Sequence, residues 1–442
     1  MNKPLCFIMA PVPSRSGYGD RSRDIVRSLV ELKGNEWDIK IAPTRWGACP
    51  QNALNEKDPN DVEIISRLHS GTHLRKQPDI FIQISVPSEF QKMGKYNIGI
   101  TAGIETTACD ASWTEGCNNM DLILVSSEHS KKVLKETQFD KINEQSKQKM
   151  GELRMETPIE VLFEGVNLDL YKKVKKFPKT LVDELQTVKE DFCFLFVGHW
   201  LQGDFGHDRK DIGGLIKTFC ETFKGLRKKP ALILKTSGAG FSVMDRDNIL
   251  NKIKSITEQD KSYPNVYLLH GDLYPEEVNA LYNHPKVKAH VSFTKGEGFG
   301  RPLAEAALSG KPVIAPNWSG HTDFLHPEYA CLLAGQLLPV HKSAQWKGVI
   351  NEGSAWHYVN YDYASKVLKD VYKNHKAHMD RVRKLPQHIR TNFSMEKMTE
   401  KFSSILETKV TVKKQVSLNL PTLKKAKPKT NLPKLNLPKL NR

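Results

Sequence analysis

The 442-residue chain has few cysteines and no long apolar run. Its seven cysteines are scattered, and none stands in a C-x-x-C pair. This pattern argues against a disulfide framework or a zinc site and favours free thiols in a reducing compartment. The first apolar run, "LCFIMA", is too short for a signal-peptide core, and no later run approaches the roughly 20 residues of a membrane-spanning helix. We therefore expect a cytoplasmic protein.

Acidic residues are missing from the last part of the chain, where most of the net charge of +16 arises. From Lys409 to Arg442 there are nine lysines and one arginine, so this segment carries +10 and leaves +6 for the rest. Its prolines and its repeated "NLPKL" disfavour helix and central strand, so we expect residues 409–442 to form a disordered basic arm. The arm is either a solubilising tether or a contact to an anionic membrane surface, polymer or acidic partner, without specific nucleic-acid recognition.

Short apolar runs alternate with amphipathic stretches in two consecutive series. The runs of the first series are "LCFIMA", "WDIKIAP", "DIFIQIS", "YNIGITAG", "DLILVSS" and "IEVLFEGV". Those of the second are "FCFLFVG", "ALILKTSG", "VYLLHG", "AHVSFT", "PVIAP" and "ACLLA". Strands that alternate with helices predict βαβ units and parallel sheets. The chain is therefore predicted to be an α/β protein with two doubly wound, Rossmann-like domains facing a cleft.

A polar stretch over residues 170–191 marks the seam between the two series. We predict a first domain over residues 1–180 and a second domain over residues 181–375. The helical patterns of residues 376–408 predict C-terminal helices that pack back on the first domain, before the tail of residues 409–442. Ligands of such sheets bind beyond the carboxyl ends of the strands, so we expect the site in the cleft.

A glycine-rich loop, "TKGEGFG", lies between a predicted strand and a helix that we expect to begin at Pro302. A tight loop at a helix start presents free backbone N–H groups and the positive end of the helix dipole, which suits a phosphate. Glu297 belongs to the loop, and Glu305 is predicted in the first helical turn. A carboxylate only accepts hydrogen bonds, so sugar hydroxyls are its natural partners. The spacing fits neither a dinucleotide fingerprint nor a P-loop, and the ligand it describes is a nucleotide sugar.

These residues resemble the E-x7-E motif of retaining GT-B glycosyltransferases, especially family four, also described as glycosyl transferases group 1. The resemblance covers "EGFGRPLAEAALSGKPVI" and its surroundings. It implies that Glu305 binds the ribose hydroxyls and that Glu297 binds the donor sugar. The backbone of Gly298, Phe299 and Gly300 would meet the sugar or the diphosphate.

Two further segments of the second half resemble the same family. In "WSGHTDFL", Ser319 and Gly320 would lie near the donor sugar, and Asp323 stands where a glutamate is usual. In "NVYLLHGDLYPEEVNALY", His270 and Gly271 fall where loop backbone packs on the nucleotide base. The resemblance thus spans most of the predicted second domain.

A basic pair follows the first strand of the second series. Gly198 ends that strand, and Arg209 and Lys210 stand where the family binds the donor diphosphate. Fixed cations stabilise the negative charge that develops on a departing diphosphate, without a metal. In the family the first arginine follows the strand glycine directly, whereas here His199 does, so an insertion delays the pair and the assignment of each cation to a phosphate stays open.

The first half carries the matching features of an acceptor-side domain. Gly17, Tyr18 and Gly19 stand between the first strand and the first helix and resemble the family's first glycine loop, which lies over the donor sugar and phosphate. Residues 165–167 in "VLFEGVNLDLY" resemble the segment that precedes the crossing to the second domain and would lie along the cleft.

One departure from the family concerns the catalytic histidine found in many relatives. At its place this chain has "GIE", and Glu105 with the downstream Trp113 resembles a branch in which such a pair occupies the site. Glu105 would then orient the donor or accept a hydroxyl, or it stabilises the fold. His129 is interpreted as a helix-start residue rather than a catalytic one.

Together these patterns predict a hexosyltransferase that retains configuration, needs no metal or other cofactor, and transfers to a carbohydrate, lipid or protein-linked glycan. Three alternatives are weighed against it. A GT-A transferase would use a D-x-D pair, and Asp245 and Asp247 have that spacing but stand at a predicted helix start. A GT-B nucleotide-sugar epimerase would need an array of histidines and carboxylates, and a non-catalytic glycan or nucleotide-sugar binding protein would need none.

Overall fold

Two parallel sheets of six strands each form the framework of the protein. The computed structural model describes residues 3–71, 73–143, 145–238 and 240–410. The first sheet has the order β2-β1-β3-β4-β5-β8. Its strands are β1 (Leu5–Ala10), β2 (Asp38–Pro43), β3 (Ile80–Ile84), β4 (Tyr96–Ile100), β5 (Leu122–Val125) and β8 (Ile159–Val161).

The second sheet has the order β11-β10-β9-β12-β13-β14. Its strands are β9 (Cys193–Val197), β10 (Ala231–Lys235), β11 (Val266–Leu269), β12 (Val287–Val291), β13 (Val313–Pro316) and β14 (Cys331–Leu333). All twelve strands coincide with apolar runs that the sequence predicted, and the two-sheet α/β architecture is confirmed. Strands of a parallel sheet are covered on both faces, so they form continuous apolar runs; β3, for example, is buried at every position.

Helices connect the strands and cover the sheets. They are α1 (Gly17–Lys33), α2 (Pro59–Ile65), α3 (Ala111–Asn118), α4 (Glu128–Glu136), α5 (Lys179–Gln186), α6 (Ile212–Phe223), α7 (Val243–Thr257), α8 (Pro275–Asn283), α9 (Arg301–Ala307), α10 (Tyr361–Lys373), α11 (His375–Arg381), α12 (Leu385–Asn392) and α13 (Met395–Lys409). We call residues 3–178 the first lobe and residues 179–374 the second lobe. Each lobe has its own apolar core, around Phe81 and Trp113 in the first and around Phe194 and Phe219 in the second.

Two antiparallel hairpins stand outside the sheets. One pairs β6 (Gln138–Ile142) with β7 (Lys149–Arg154), and the other pairs β15 (Gly335–Pro339) with β16 (Ala355–Val359). The sequence analysis predicts neither, because strands β6, β7 and β15 are largely exposed and lack a continuous apolar run or a clean alternation.

Two stretches of the chain contain helices whose bounds their sequence patterns do not give. The stretch over residues 170–191 contains α5, whose Thr180 hydroxyl donates to Glu277 of α8 at 2.9 Å. The long helical pattern that begins at Tyr361 breaks into separate helices, because Asn374 leaves the helical conformation at ψ 34° and a proline follows at position 386. Proline within a helical pattern ends the preceding helix.

The C-terminal helix α13 lies on the first lobe. The hydroxyls of Ser28 in α1 and Thr399 in α13 are 2.8 Å apart, and Val166 forms a backbone bridge with Ser394. The predicted tail lies outside the described residues apart from Lys409, which ends α13, and Val410. Within the described ranges, every helix is too short or too polar to cross a bilayer.

Candidate functional site

The glycine loop connects β12 to α9 at the carboxyl end of the second sheet. Residues 292–300 are buried throughout, including Glu297 in the loop. Helix α9 begins at Arg301, so Glu305 is its fifth residue and lies in the second turn, one turn later than predicted. Gly300 precedes the helix with φ 96°, a conformation that favours glycine, and a Cβ there would lie 2.9 Å from the Cβ of His321.

Glu297 lies against the basic pair that the sequence predicted to bind diphosphate. Its carboxylate accepts from Lys210 Nζ and lies 3.3 Å from Arg209 Nη1. Burial alone would raise the pKa of Glu297, but Lys210 and Arg209 outweigh it and lower that pKa to about 2. The carboxylate is therefore ionised at every physiological pH, and the cluster holds one anion beside two cations.

Glu105 approaches the same cluster from the first lobe. It follows β4, and its carboxylate lies 3.7 Å from Arg209 Nη1. Partial burial raises the pKa of Glu105, while Arg209 opposes that shift. The structure thus brings together the four residues predicted to be catalytic: Glu105, Arg209, Lys210 and Glu297.

Two more basic groups belong to this end of the sheet, and the sequence analysis missed one of them. Lys235 ends β10, and its Nζ donates to the carbonyl of Gly271 at 2.7 Å. His199 is exposed, and its pKa is lowered by desolvation of its ring and by the charges of Lys210, Lys235 and Arg209. These three cations therefore act on one region of the cleft. A charged last residue in an apolar strand was the available signal for Lys235.

A buried lysine braces the basic pair against the glycine loop. Lys295 has no exposed surface, and its Nζ lies 3.3 Å from the carboxylate of Asp211 and donates to the carbonyl of Asp208. Its backbone N–H donates to the carbonyl of Arg209 at 2.7 Å. The two aspartates flank the basic pair in the sequence "DRKD". They supply the close partners that the buried charge of Lys295 needs. Lys295 thus fixes Arg209 and Lys210 beside Glu297.

The loop around Ser319 holds the backbone of Glu297. The N–H of Glu297 donates to Ser319 Oγ, and the N–H of Gly320 donates to the carbonyl of Glu297, both at 2.9 Å. Ser319 has φ 78°, a conformation that is strained for a residue other than glycine. Two loops are therefore locked together where the sequence predicted the donor sugar to bind.

Glu305 has separate partners on its two carboxylate oxygens. Arg301 Nε donates to Oε1 at 3.1 Å, and the Tyr282 hydroxyl lies 3.4 Å from Oε2. Burial raises the pKa of Glu305 to about 7, and Arg301 opposes that shift only in part. The Tyr171 hydroxyl also faces this carboxylate. A carboxylate has about four lone-pair sites, so capacity remains for a further donor such as a ribose hydroxyl.

His270 and Asp245 form a pair at the start of α7. His270 Nε2 lies 2.7 Å from Asp245 Oδ2, and the same carboxylate accepts from the N–H of Gly238. Asp245 therefore already accepts hydrogen bonds from protein groups. Asp247 lies further along α7, so both aspartates of this D-x-D pair belong to the first turns of a helix, as the sequence predicted. Beside His270, Gly271 has φ 118° and open space around it.

Two glycines of the loop, Gly296 and Gly298, lie against the backbone of the first lobe. A Cβ on Gly296 would lie 1.9 Å from the carbonyl oxygen of Glu105, and one on Gly298 would lie 2.0 Å from that of Ala102. Both glycines therefore let the loop pack directly against the first lobe. The Phe299 side chain is buried and its ring packs on Phe324 with the ring centroids 4.9 Å apart, so only its backbone is available to a donor.

The first glycine segment is helical rather than a loop. Helix α1 begins at Gly17, capped by Ser16, whose side chain accepts from the N–H of Gly19. A Cβ on Gly19 would lie 2.1 Å from the carbonyl oxygen of Ser14, whereas Gly17 has nothing within 4 Å. In the second lobe, Gly198 follows β9 and packs on the ring of Phe196. Gly17 is thus open to a ligand, and Gly19 is constrained by the fold.

One further expectation, that Trp113 shares the site with Glu105, is not met, whereas His129 is a helix-start residue as predicted. Trp113 is fully buried and donates from Nε1 to the carbonyl of Gly348 at 2.7 Å, so it joins the two lobes instead of lining the site with Glu105. Gly165, the first residue of the segment 165–167, packs on the C-terminal helix α13, since a Cβ on Gly165 would lie 2.7 Å from the Cα of Met395. His129 is the second residue of α4, and Asp323 accepts from the N–H of Glu128 beside it at 2.9 Å.

Over residues 3–410, excluding the three undescribed positions, no three histidine, cysteine or acidic side chains are grouped to hold an ion. All seven cysteines fall in the described ranges and have free thiols. What the site offers is carboxylates beside cations.

Solved structures share this architecture. A glycosyltransferase from Rickettsia africae has a TM-score of 0.56 at 14% identity, over 92% of this chain and 98% of its own. Sucrose-phosphate synthase from Thermosynechococcus elongatus has a TM-score of 0.58 at 13% identity, and the match covers 92% of this chain and 98% of its own. Anabaena HepE, solved in complex with UDP-glucose, has a TM-score of 0.57 at 11% identity, and the match covers 91% of this chain and 99% of its own. No protein-family profile and no curated protein sequence matches the chain. At these identities the likeness establishes the fold, which is the GT-B fold of glycosyltransferases.

Proposed function

We propose that the protein is a retaining glycosyltransferase of the E-x7-E type, which transfers a sugar, expected to be a hexose, from a nucleoside diphosphate sugar to an acceptor hydroxyl. The observation that carries this proposal is the contact of Glu297 with Lys210 and Arg209, opposite Glu105. A carboxylate for sugar hydroxyls beside cations for a leaving diphosphate is the arrangement that this transfer needs. The fold shared with glycosyltransferases supports it.

In the proposed reaction the acceptor hydroxyl attacks C1 of the donor sugar from the face that the diphosphate leaves. The bond from C1 to the diphosphate oxygen breaks, the bond from C1 to the acceptor oxygen forms, and the acceptor proton passes to the departing phosphate oxygen. Arg209, Lys210 and Lys235 stabilise the charge on the diphosphate. Glu297 and Glu105 orient the sugar, so that catalysis rests on positioning and charge.

The donor site is tested by thermal shift with UDP-, GDP- and ADP-sugars, followed by turnover of the nucleotide sugar that stabilises the protein most. Glu297→Gln keeps the size of the side chain and removes its charge, so we expect turnover to fall by about a hundredfold or more, as for loss of one transition-state contact. Glu276→Gln, at an exposed acid of α8, is the matched control and should behave as the wild type. Equal turnover in all three proteins would reject the proposal.

The product distinguishes the proposed reaction from its alternatives. NMR of the product should give the anomeric configuration of the donor, and inversion would reject the retaining mechanism. An epimerase would return an altered nucleotide sugar without an acceptor, and a binding protein would be stabilised without turnover. Because the proposed chemistry uses no metal or other cofactor, EDTA should leave the rate unchanged.

The acceptor belongs to the first lobe in this proposal, and carbohydrates, lipids and protein-linked glycans are the classes to assay. Glu105 lies on that side of the cleft. A location in the cytoplasm, with contact to an anionic surface through the basic tail, is the setting that we propose.

A further inference from the structure

Arg301 contacts acidic residues of both lobes. It is the first residue of α9, and its Nε donates to Glu305 four residues later. Its Nη1 donates to Asp24 Oδ2 at 2.7 Å, and Asp24 belongs to α1 of the first lobe. The Arg301 side chain is 17% exposed and that of Asp24 is 10% exposed. One guanidinium with fixed fork geometry thus joins two largely buried carboxylates.

Asp24 is itself held from behind. Its other oxygen, Oδ1, lies 3.7 Å from Arg27 Nη1, and Arg27 donates from Nη2 to Asp61 of α2 at 2.6 Å. The charges alternate along the series, which we call the ion chain: Asp61, Arg27, Asp24, Arg301 and Glu305. The chain runs from α2 through α1 and across the cleft to α9, so helices of the first lobe anchor the orientation of Arg301.

The free capacity of Glu305 depends on that orientation. Arg301 engages Oε1 through Nε, and Tyr282 is the neighbour of Oε2. If Arg301 were not held by Asp24, its remaining N–H groups would be free to turn onto Glu305 and occupy the acceptor sites that ribose hydroxyls need. Removing one partner of a buried charge pair leaves the other to find new contacts.

We propose that Asp24 is a positioning residue for nucleotide recognition: through Arg301 it holds Glu305 in the orientation that accepts the ribose hydroxyls. The proposal rests on the proposed function, in which Glu305 binds ribose. It assigns to the first lobe a part in reading the nucleotide, although Asp24 does not touch the nucleotide itself. Ribose recognition is thereby coupled to the contact between the two lobes.

The experiment measures ribose discrimination by the full chain. Titration calorimetry gives the affinities of UDP, GDP and ADP and of their 2′-deoxy counterparts for the wild type. For the nucleotide that binds best, we expect the ribose form to bind about tenfold or more tightly than the deoxy form, the effect of a hydrogen bond to a charged group. In Asp24→Asn this ratio should fall towards one, through weaker ribonucleotide binding with deoxynucleotide binding unchanged.

Two further variants separate positioning from general lobe contact and from misfolding. Asp272→Asn removes the carboxylate partner of Arg15, another contact between the lobes with a distance of 2.5 Å, and it should keep the full ribose preference. Arg301→Lys keeps the positive charge but cannot hold both carboxylates in one planar fork, and it should lose the preference as Asp24→Asn does. Thermal melts of each variant confirm that it is folded.

The outcomes distinguish a failure of the inference on Asp24 from a failure of the proposed function. An unchanged ribose preference in Asp24→Asn or Arg301→Lys overturns the inference and leaves the proposed function standing. An equal loss in Asp272→Asn also overturns it, because the effect would then come from lobe contact in general. If none of the three nucleotides binds the wild type, the proposed function fails and the inference fails with it.

Discussion

Glu297 and Glu305 differ in protonation because of the cations around them. Burial favours the neutral form of both carboxyls. At Glu297 the charges of Lys210 and Arg209 outweigh it and lower the pKa to about 2, whereas at Glu305 burial prevails and raises the pKa to about 7. One carboxylate is thus permanently charged, and the other titrates near neutral pH.

Donor affinity is therefore expected to depend on pH through Glu305. Only the ionised carboxylate accepts hydrogen bonds from both ribose hydroxyls, so affinity should fall as pH drops below 7, by up to about tenfold per pH unit. The measurement is titration calorimetry with a nucleotide sugar between pH 8 and about pH 5, because its diphosphate diester carries no proton that titrates in this range. Glu305→Gln should bind weakly at all pH values without this slope.

The same residue has an opposite effect on the free protein. A carboxyl whose pKa is raised on folding stabilises the folded state at low pH, and this contribution is lost as pH rises through about 7. Stability of the wild type relative to Glu305→Gln should therefore decrease from pH 5 to 8.

A donor affinity that is flat across this range in the wild type would contradict the assignment of Glu305.

At the scale of elements, two glycines at the start of α1 are needed for different reasons. The fold requires Gly19, and the proposed donor requires Gly17. Gly19 is in contact with the Ser14 carbonyl at the helix cap, and Gly17 faces open space. A methyl group at position 19 has no room, whereas one at position 17 would occupy only the volume that we assign to the donor.

Gly17→Ala and Gly19→Ala should accordingly have different effects. Alanine at 17 has the higher helix propensity, so we expect stability to stay equal or rise by up to about 1 kcal/mol, while the KM for donor increases. Alanine at 19 should destabilise by roughly 1–3 kcal/mol through overpacking. Thermal denaturation and donor kinetics measure both. A Gly17→Ala protein with an unchanged KM would remove Gly17 from the donor site.

The sequence predicts the sheet strands well because burial on both faces leaves an unmistakable apolar run. It does not predict the β6–β7 and β15–β16 hairpins, whose stability comes from pairing and from contacts elsewhere. The β15–β16 segment, for example, reaches α3 of the first lobe, where Asn351 donates to Asp110 at 2.7 Å. Contacts between elements far apart in the chain leave no periodic signal in either partner.

In the candidate site, too, the sequence predicts some residues and not others. Glu297, Arg209 and Lys210 carry a local pattern, and the structure places them in one cluster. Lys295 and Asp24 have no such pattern, because an isolated lysine in a loop and an aspartate in a helix look like solvated charges until their partners are known. The close packing of Gly296 and Gly298 could not be predicted either, since their close neighbours belong to the other lobe.

At the scale of the whole molecule, the two lobes meet through directed contacts. Thr107 and Ala355 exchange hydrogen bonds, with the N–H of Thr107 donating to the Ala355 carbonyl at 2.8 Å and the N–H of Ala355 donating to Thr107 Oγ1 at 2.9 Å. Together with the contacts of Arg209 and Arg301 to first-lobe acids, they place Glu105 beside Glu297. The described part of the chain therefore brings residues of both lobes together in one candidate site.

The basic tail should be separable from catalysis. A chain that ends at Val410 loses eight lysines and Arg442 but keeps every residue assigned to the site, so donor turnover should be unchanged. Binding to vesicles that contain anionic phospholipid should weaken, with the wild-type binding sensitive to salt. Co-sedimentation with anionic and neutral vesicles measures this. Equal sedimentation of both proteins would show that the tail does not contact membranes.

The measurement that tests the central claim most directly is a crystal structure of the protein with the nucleoside diphosphate that binds it best. We predict the diphosphate in contact with the cations Arg209, Lys210 and Lys235, and the ribose hydroxyls on Glu305. A nucleotide bound away from these cations, or with its ribose directed away from Glu305, would contradict the account.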